Sequence, residues 1–287
     1  MKIAVTGSSG FVGRRLVRKL RELNHRVIEI DRGTGYNITL FEQLRNVEEF
    51  DILIHLAALT FVPHSYKNPR DFYETNVLGT LNVLELCHKY RAKMIFASSY
   101  IYGSPKYLPI DEGHDVVASN PYSQSKIIGE QLCEGYFRDF GLNVIIMRPF
   151  NIYGPGQNTN FLIPSIITQV RSGRVILKDP APKRDFVYID DVVDAYLKAL
   201  EYKSNSFEIF NIAYGKSSSV REIAYFIRNL MNEEFEIEFN GELRRTEILD
   251  TVGDISLAKN RLNWQPLYSI EDGLSRLICH TTLGKGS

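Results

Sequence analysis

The sequence predicts an α/β protein: a doubly wound parallel sheet followed by a smaller mixed α/β C-terminal portion. Short apolar strand-like runs alternate with amphipathic helical segments through the first half of the 287 residues. That alternation predicts a parallel sheet covered on both faces. A glycine-rich turn joins the first run to the first helix, and after about residue 150 the alternation loosens.

Taken in order, Lys2–Thr6 is the first strand. Phe11–Leu23 is the first helix, with Phe11, Val12, Leu16, Val17 and Leu20 on one side. Arg26–Ile30 is the second strand and ends at Asp31. Leu40–Val47 reads as a short helix, Asp51–Leu56 as a strand, Asp71–Tyr90 as a long helix and Met94–Ser98 as the next strand. Pro121–Phe140 and Val144–Arg148 complete the alternating half. Beyond it, Asn151–Asn160 is rich in Gly, Pro and Asn and reads as an irregular loop. Phe161–Ser172 is helical, and Arg174–Asp185, with Pro180 and Pro182, gives a short strand with turns. Ile189–Tyr202 is a helix and Phe207–Ile212 a buried strand. Val220–Met231 is a helix capped by Ser219, Glu236–Phe239 a strand, and Ser256–Leu262 and Ile270–Cys279 the last helices. The expected division is a dinucleotide-binding domain of residues 1–154 plus about 185–215. The second domain takes about 155–184 plus 216–283, and 284–287 form a flexible tail.

Composition removes several function classes. Lys+Arg and Asp+Glu both number 34, so there is no basic excess for a nucleic acid. Apolar residues at 44% exclude a disordered chain, and no run approaches the roughly 18 apolar residues of a membrane span. The N-terminal residues carry no secretory pattern, so a cytoplasmic protein is expected. Cys87, Cys133 and Cys279 have neither zinc nor CxxC spacing and are expected to be free, buried thiols; no metal is expected.

The turn Thr6-Gly7-Ser8-Ser9-Gly10-Phe11-Val12-Gly13 spaces its glycines G-x-x-G-x-x-G. Gly7 suits the tight turn, Gly10 the approach of a pyrophosphate, and Gly13 close packing of helix on strand. Free N–H groups at the helix start attract phosphate. Asp31, 18 residues after Gly13, is placed to bind ribose hydroxyls and repel a 2′-phosphate. NAD is therefore the expected cofactor, with NADP left open by Arg32. Gly7, Ser9, Gly10, Phe11, Val12, Gly13, Asp31 and Arg32 are the candidate contacts.

Tyr122 and Lys126 are one helical turn apart and share a face. A phenol ionises near pH 10, and a neighbouring ammonium, with the positive nicotinamide, is expected to lower that value, so Tyr122 can exchange a proton with a sugar hydroxyl. Ser98-Ser99 ends a strand at the carboxyl edge of the sheet, where ligands of such sheets bind. His55, in an apolar strand, reads as a satisfied core residue, and His64 lies in a loop near the expected site.

With these residues in hand, the chain resembles the extended short-chain dehydrogenase/reductase family, in its nucleotide-sugar epimerase, dehydratase and reductase branch. The resemblance rests on TGSSGFVG at 6–13, HLAA at 55–58, NVLGT at 76–80 and SSYIYG at 98–103. It continues in NPYSQSK at 120–126, RPFNIYGPGQ at 148–157, RDFVYIDDV at 184–192 and FNIAYG at 210–215. It implies a Rossmann-type sheet, Tyr122 as general acid/base, Lys126 lowering its pKa and holding the nicotinamide ribose, and Ser98 as the catalytic hydroxyl. It further implies cofactor contacts from Leu56, Ala57, Ala58 and Asn76. Substrate contacts follow from Thr60, Ser99, Tyr100, Asn151, Arg184 and Arg244. The implied substrate is a nucleotide-diphosphate sugar, and the implied assembly a homodimer through the helices near 71–90 and 122–140.

Departures from the family pattern narrow the reaction. Ser99 and Tyr100 stand where the 4,6-dehydratases carry an acidic residue after the catalytic Ser/Thr, so dehydration is not expected. Oxidation or reduction at C4 remains. The short segment from Asp31 to Tyr36-Asn37-Ile38 favours a 4-keto-sugar reductase with exchangeable cofactor, the alternative being an NAD-dependent 4-epimerase. A non-enzymatic dinucleotide sensor is disfavoured by the complete Ser98, Tyr122 and Lys126 set.

Overall fold

A computed structural model describes residues 1–203, 206–231, 234–242 and 248–283. The strands are β1 (Lys2–Thr6), β2 (Arg26–Ile30), β3 (Ile52–His55), β4 (Lys93–Ala97), β5 (Val144–Pro149), β6 (Asn151–Tyr153), β7 (Arg174–Leu177), β8 (Lys183–Tyr188), β9 (Glu208–Ile212), β10 (Ser217–Ser219) and β11 (Glu236–Phe239). The α-helices are α1 (Phe11–Glu22), α2 (Phe41–Leu44), α3 (Val62–Lys67), α4 (Pro69–Tyr73), α5 (Gly79–Tyr90), α6 (Pro121–Phe140), α7 (Leu162–Val170), α8 (Ile189–Glu201), α9 (Val220–Met231), α10 (Ser256–Arg261) and α11 (Ile270–Leu283).

Six strands form one sheet in the order β2-β1-β3-β4-β5-β9, every pair parallel. This is the doubly wound sheet expected. The chain leaves β1 for β2 on one side and returns to β3 on the other, so the order reverses beside β1, where ligands of open α/β sheets bind. Both faces are covered. Leu16, Leu20, Val192 and Tyr196 from α1 and α8 pack with Ile3, Val5 and Ile54 on one face. On the other face, Val83, Leu84 and Cys133 from α5 and α6 pack with Ala4, Leu53, Phe96 and Ile146. β8 pairs with both β6 and β10, and β7 with β11, beside a third core that includes Tyr153, Ile166, Ile189, Ile223 and Leu274.

Several elements differ from expectation. Residues 151–153, expected in an irregular loop, form β6 against β8. Residues 174–185 hold two strands rather than one, separated by the two prolines. The helix expected at 71–90 begins earlier, at Pro69, and passes through one π turn, Glu74–Leu78, before α5. Gly79 there lies so close to the side chain of Ile38 that a Cβ would be 2.5 Å from Ile38 Cδ1, which fixes how α5 sits. Helix α3 has no counterpart in the sequence reading. Cys87 and Cys133 are buried as expected, but Cys279 is exposed. Residues 284–287 lie outside the described residues.

Candidate active site

The phosphate turn follows β1. Gly7 has φ +66°, and a Cβ on it would lie 2.8 Å from Ala57 N and Cα, so a side chain is excluded on two grounds. A Cβ on Gly13 would collide with Gly7 O, which brings the first turn of α1 onto the loop. No side chain caps α1 at Gly10, so its first N–H groups face the cradle unclaimed by a capping group. The Ser8 hydroxyl there is buried and has no hydrogen-bond partner among the described residues. Ser9 donates through N (3.3 Å) and Oγ (2.7 Å) to one oxygen of Asp31, and Gly33 N donates to the other at 3.1 Å. Partial burial opposes the charge on Asp31. The bonds from Gly33 and Ser9 outweigh it and hold the carboxyl below its usual range. Arg32 opens an exposed 3₁₀ turn that begins immediately after Asp31. The cradle therefore fits a dinucleotide whose ribose meets a fixed negative charge.

Helix α6 carries the Tyr–Lys pair. Asn120 caps it by accepting from Ser123 N at 2.8 Å, and Pro121 opens its first turn. Tyr122 is half-buried, its ring edge-on to Phe72. Lys126 Nζ donates to Ala97 O at 2.7 Å and lies 5.0 Å from the centroid of the Phe96 ring. Burial lowers Lys126 to about 8, partly opposed by Glu130 one turn further along the helix. Lys126 is not among the groups of the chain that act on the Tyr122 phenol. Burial raises that phenol to about 12, a hydrogen bond with the Ser99 side chain opposes the rise, and Tyr100 adds to it. The Lys126 ammonium instead serves the end of β4. The serines also divide their work. Ser98 N donates to Met147 O at 2.8 Å while its buried hydroxyl has no partner among the described residues, and Ser99 is the serine that acts on the Tyr122 phenol.

The remaining candidates spread around this edge. Leu56 N and Ala57 N bond to Thr6, and Ala58 follows in the same loop. Thr60 is exposed. Asn76 is buried, and its amide holds Leu59 N and Leu59 O (2.9 and 3.0 Å) and Ser125 Oγ (2.9 Å), so it braces the loop. Tyr100 stacks on Phe150 and donates to Asn151 Oδ1 at 3.2 Å, while Asn151 Nδ2 donates to Asp185 O. The buried Asp185 carboxylate accepts from Tyr214 N, Gly215 N and Gly253 N. Arg184 is half-buried and donates to Lys183 O and Ile248 O. Arg244 lies outside the described residues. His64 bonds to Asn68 and lies edge-on to the ring of Phe72, which in turn packs on Tyr122.

Sequence reasoning missed a buried polar cluster beneath the site. Glu130 forms a bidentate ion pair with Arg148 (2.9 and 2.5 Å), and Arg148 also donates to Tyr102 Oη at 3.0 Å. The available signal was Glu130 at i+4 from Lys126, on the buried side of one helix. Among the described residues no group of three His, Cys, Asp or Glu is placed to hold a metal, and no helix is long and apolar enough to cross a membrane.

A dinucleotide cradle and a Tyr–Lys pair at the carboxyl edge of one parallel sheet define an oxidoreductase-type site. The NAD dependent epimerase/dehydratase family matches residues 3–213, and the chain belongs to that family. It is an enzyme of the extended short-chain dehydrogenase/reductase type. It is 36% identical to a "Putative UDP-glucose 4-epimerase" of Methanocaldococcus jannaschii, over 96% of this chain and 97% of that one. It is 29% identical to the GDP-6-deoxy-D-mannose reductase of Pseudomonas aeruginosa, over 96% of each. The solved UDP-glucose 4-epimerase of Thermotoga maritima with UDP-glucose superposes with a TM-score of 0.93 at 29% identity, covering 99% of this chain and 100% of that one.

Proposed function

We infer that this protein is an NAD-dependent 4-epimerase of a nucleotide-diphosphate hexose, with UDP-hexoses the first substrates to test. The observation that carries this is the Asp31 carboxylate, held ionised by Ser9 and Gly33 where an adenosine ribose would lie. A fixed negative charge there favours NAD over a 2′-phosphorylated cofactor. NAD suits a site that must oxidise and reduce C4 within one turnover. This differs from the sequence expectation of a reductase, which rested on the short segment after Asp31. That segment closes as a capped 3₁₀ turn whose Thr34 bonds back to Asp31.

When bound, NAD⁺ supplies the hydride acceptor at C4 and a positive charge close to the Tyr122 phenol. The positive charge of bound NAD⁺ would bring the phenol down from its raised value, so that Tyr122, as phenolate, would take the C4 hydroxyl proton as hydride leaves and return it after the keto sugar turns over. Ser99 donates to the phenolate and steadies it, and Ser98 turns its free hydroxyl to the sugar oxygen. Lys126 holds the ribose of the nicotinamide end while fixing the end of β4. Asn151 and Arg184 bind the sugar and diphosphate side. Leu78, exposed just before α5, supports a homodimer through α5 and α6, which light scattering tests.

The test is incubation of purified protein with UDP-glucose, UDP-glucuronate and GDP-hexoses and no reductant, with products read by NMR. A C4 epimer with no net NADH is expected. The second reading, a single 4-keto reduction, is favoured by the similarity to the GDP-6-deoxy-D-mannose reductase. Stoichiometric consumption of NAD(P)H with a 4-keto sugar, and no epimer from any saturated sugar, would establish it instead.

A further inference from the structure

A continuous chain of buried hydrogen bonds runs beneath the site, and the reaction steps above do not use it. Ala57 N donates to Thr6 Oγ1 at 3.2 Å, and Thr6 Oγ1 lies 2.6 Å from His55 Nδ1. His55 Nε2 lies 3.1 Å from Thr80 Oγ1, which donates to Asn76 O at 2.6 Å. The Asn76 amide donates to Ser125 Oγ at 2.9 Å, and the Ser125 hydroxyl donates to Tyr122 O at 2.7 Å. Thr6, His55, Asn76, Thr80 and Ser125 are each no more than 2% exposed.

Counting protons fixes the direction of this chain. Thr80 has one hydroxyl proton and gives it to Asn76 O, so toward His55 it can only accept, and His55 Nε2 must carry a hydrogen. His55 Nδ1 is bonded to Thr6, whose oxygen also accepts from Ala57 N and could accept a second time, so that bond alone leaves the direction open. With the one proton of a neutral ring on Nε2, Nδ1 is bare and Thr6 donates to it. An imidazolium would point two donors outward and leave the Thr6 proton without an acceptor in the chain. Lys126, on α6, is the charged group that acts on the ring, and it too disfavours a second proton. The ring also lies 5.7 Å from that of Phe96.

From this geometry the structure assigns His55 as a positioning residue. It is a neutral imidazole protonated on Nε2, and it ties the phosphate turn at Thr6 to the helix that carries Tyr122 and Lys126. The two ends of a dinucleotide rest on different elements, and this chain fixes the spacing between them. Asn76 clamps the intervening loop at Leu59, and Thr6 clamps it at Ala57. The assignment rests on the functional reading above for what each end does.

The first test uses the wild-type protein with ¹⁵N-labelled histidine. The imidazole shifts of His55 should report the Nε2–H tautomer at neutral pH, and the Nδ1–H form or a charged ring would overturn the assignment. The second test compares His55→Phe with His55→Gln, which keeps a donor and an acceptor. His55→Phe should weaken NAD binding about tenfold and slow turnover by ten- to a hundred-fold, on the order expected when reacting groups shift by up to an ångström. His55→Gln should recover both to within about threefold. Wild-type NAD affinity and turnover in His55→Phe would overturn the assignment, as would failure of Gln to recover either quantity while still folded. If wild-type protein binds no NAD, the functional reading fails, and the tautomer measured on the same sample still decides the chain.

Discussion

Glu130→Gln is the perturbation whose outcome follows most directly from the structure. The Arg148 and Glu130 side chains are 3% and 9% exposed, and the carboxylate takes both guanidinium bonds side by side. The third guanidinium contact, to Tyr102 Oη, is neutral and cannot replace the charge. An isosteric amide keeps the volume but leaves a buried cation without its counter-charge. Removing one partner of such a pair costs about 3–5 kcal/mol. Urea unfolding should therefore show a lower midpoint at unchanged slope, with ΔG reduced by that amount. Replacing both partners, Glu130→Leu with Arg148→Met, should recover much of the loss, because the penalty comes from the uncompensated charge rather than from the missing attraction. A single-variant loss below about 1 kcal/mol would refute the reasoning. So would a double variant less stable than the single one.

Other outcomes follow from the site. Tyr122→Phe should reduce turnover by about two to four orders of magnitude while calorimetry shows NAD affinity nearly unchanged; turnover at the wild-type rate removes Tyr122 from the mechanism. Asp31→Ser should narrow the preference for NAD over NADP by about tenfold or more, read as the ratio of the two binding constants; an unchanged ratio would place selectivity elsewhere. Burial, with Lys126, holds His55 near 3 in the folded state against an ordinary value of 6.5, so the unfolded chain binds the extra proton. Stability from this group is complete above about pH 6.5 and declines as pH falls toward 3. Between pH 6.5 and 5 the wild type should lose about 2 kcal/mol relative to His55→Gln, and parallel pH profiles of the two proteins would contradict this.

What was legible in the sequence was local. The strands of the main sheet were readable because each is a short apolar run bounded by turn residues, and the phosphate turn because Gly7 and Gly13 answer steric demands that no other residue meets. Helix α6 announced itself through Asn120-Pro121 and the spacing of Tyr122 and Lys126. The misses share a cause. β6 is three residues long and exists because β8 lies beside it, and the π turn at Asn76 gives no periodic signal of its own. Pairing at a distance has no signature in a short window. The surroundings of Tyr122 were hidden for the same reason. The i+4 spacing set Lys126 on the correct face but could not show that its ammonium bonds to Ala97 O, or that desolvation raises the phenol.

His55 carries the same lesson further. Its place in an apolar strand was enough to read it as a satisfied core residue, and it is one. Satisfaction, however, has a direction. A threonine that bonds back to its own helix, as Thr80 does to Asn76 O, can only receive from the imidazole. That one bond fixes the imidazole proton on Nε2 and, through Thr6, reaches the loop before Gly7. A core polar residue is thus worth testing as machinery when every partner's proton is already accounted for. The network then has a single arrangement, and that arrangement holds two distant parts of one site in register.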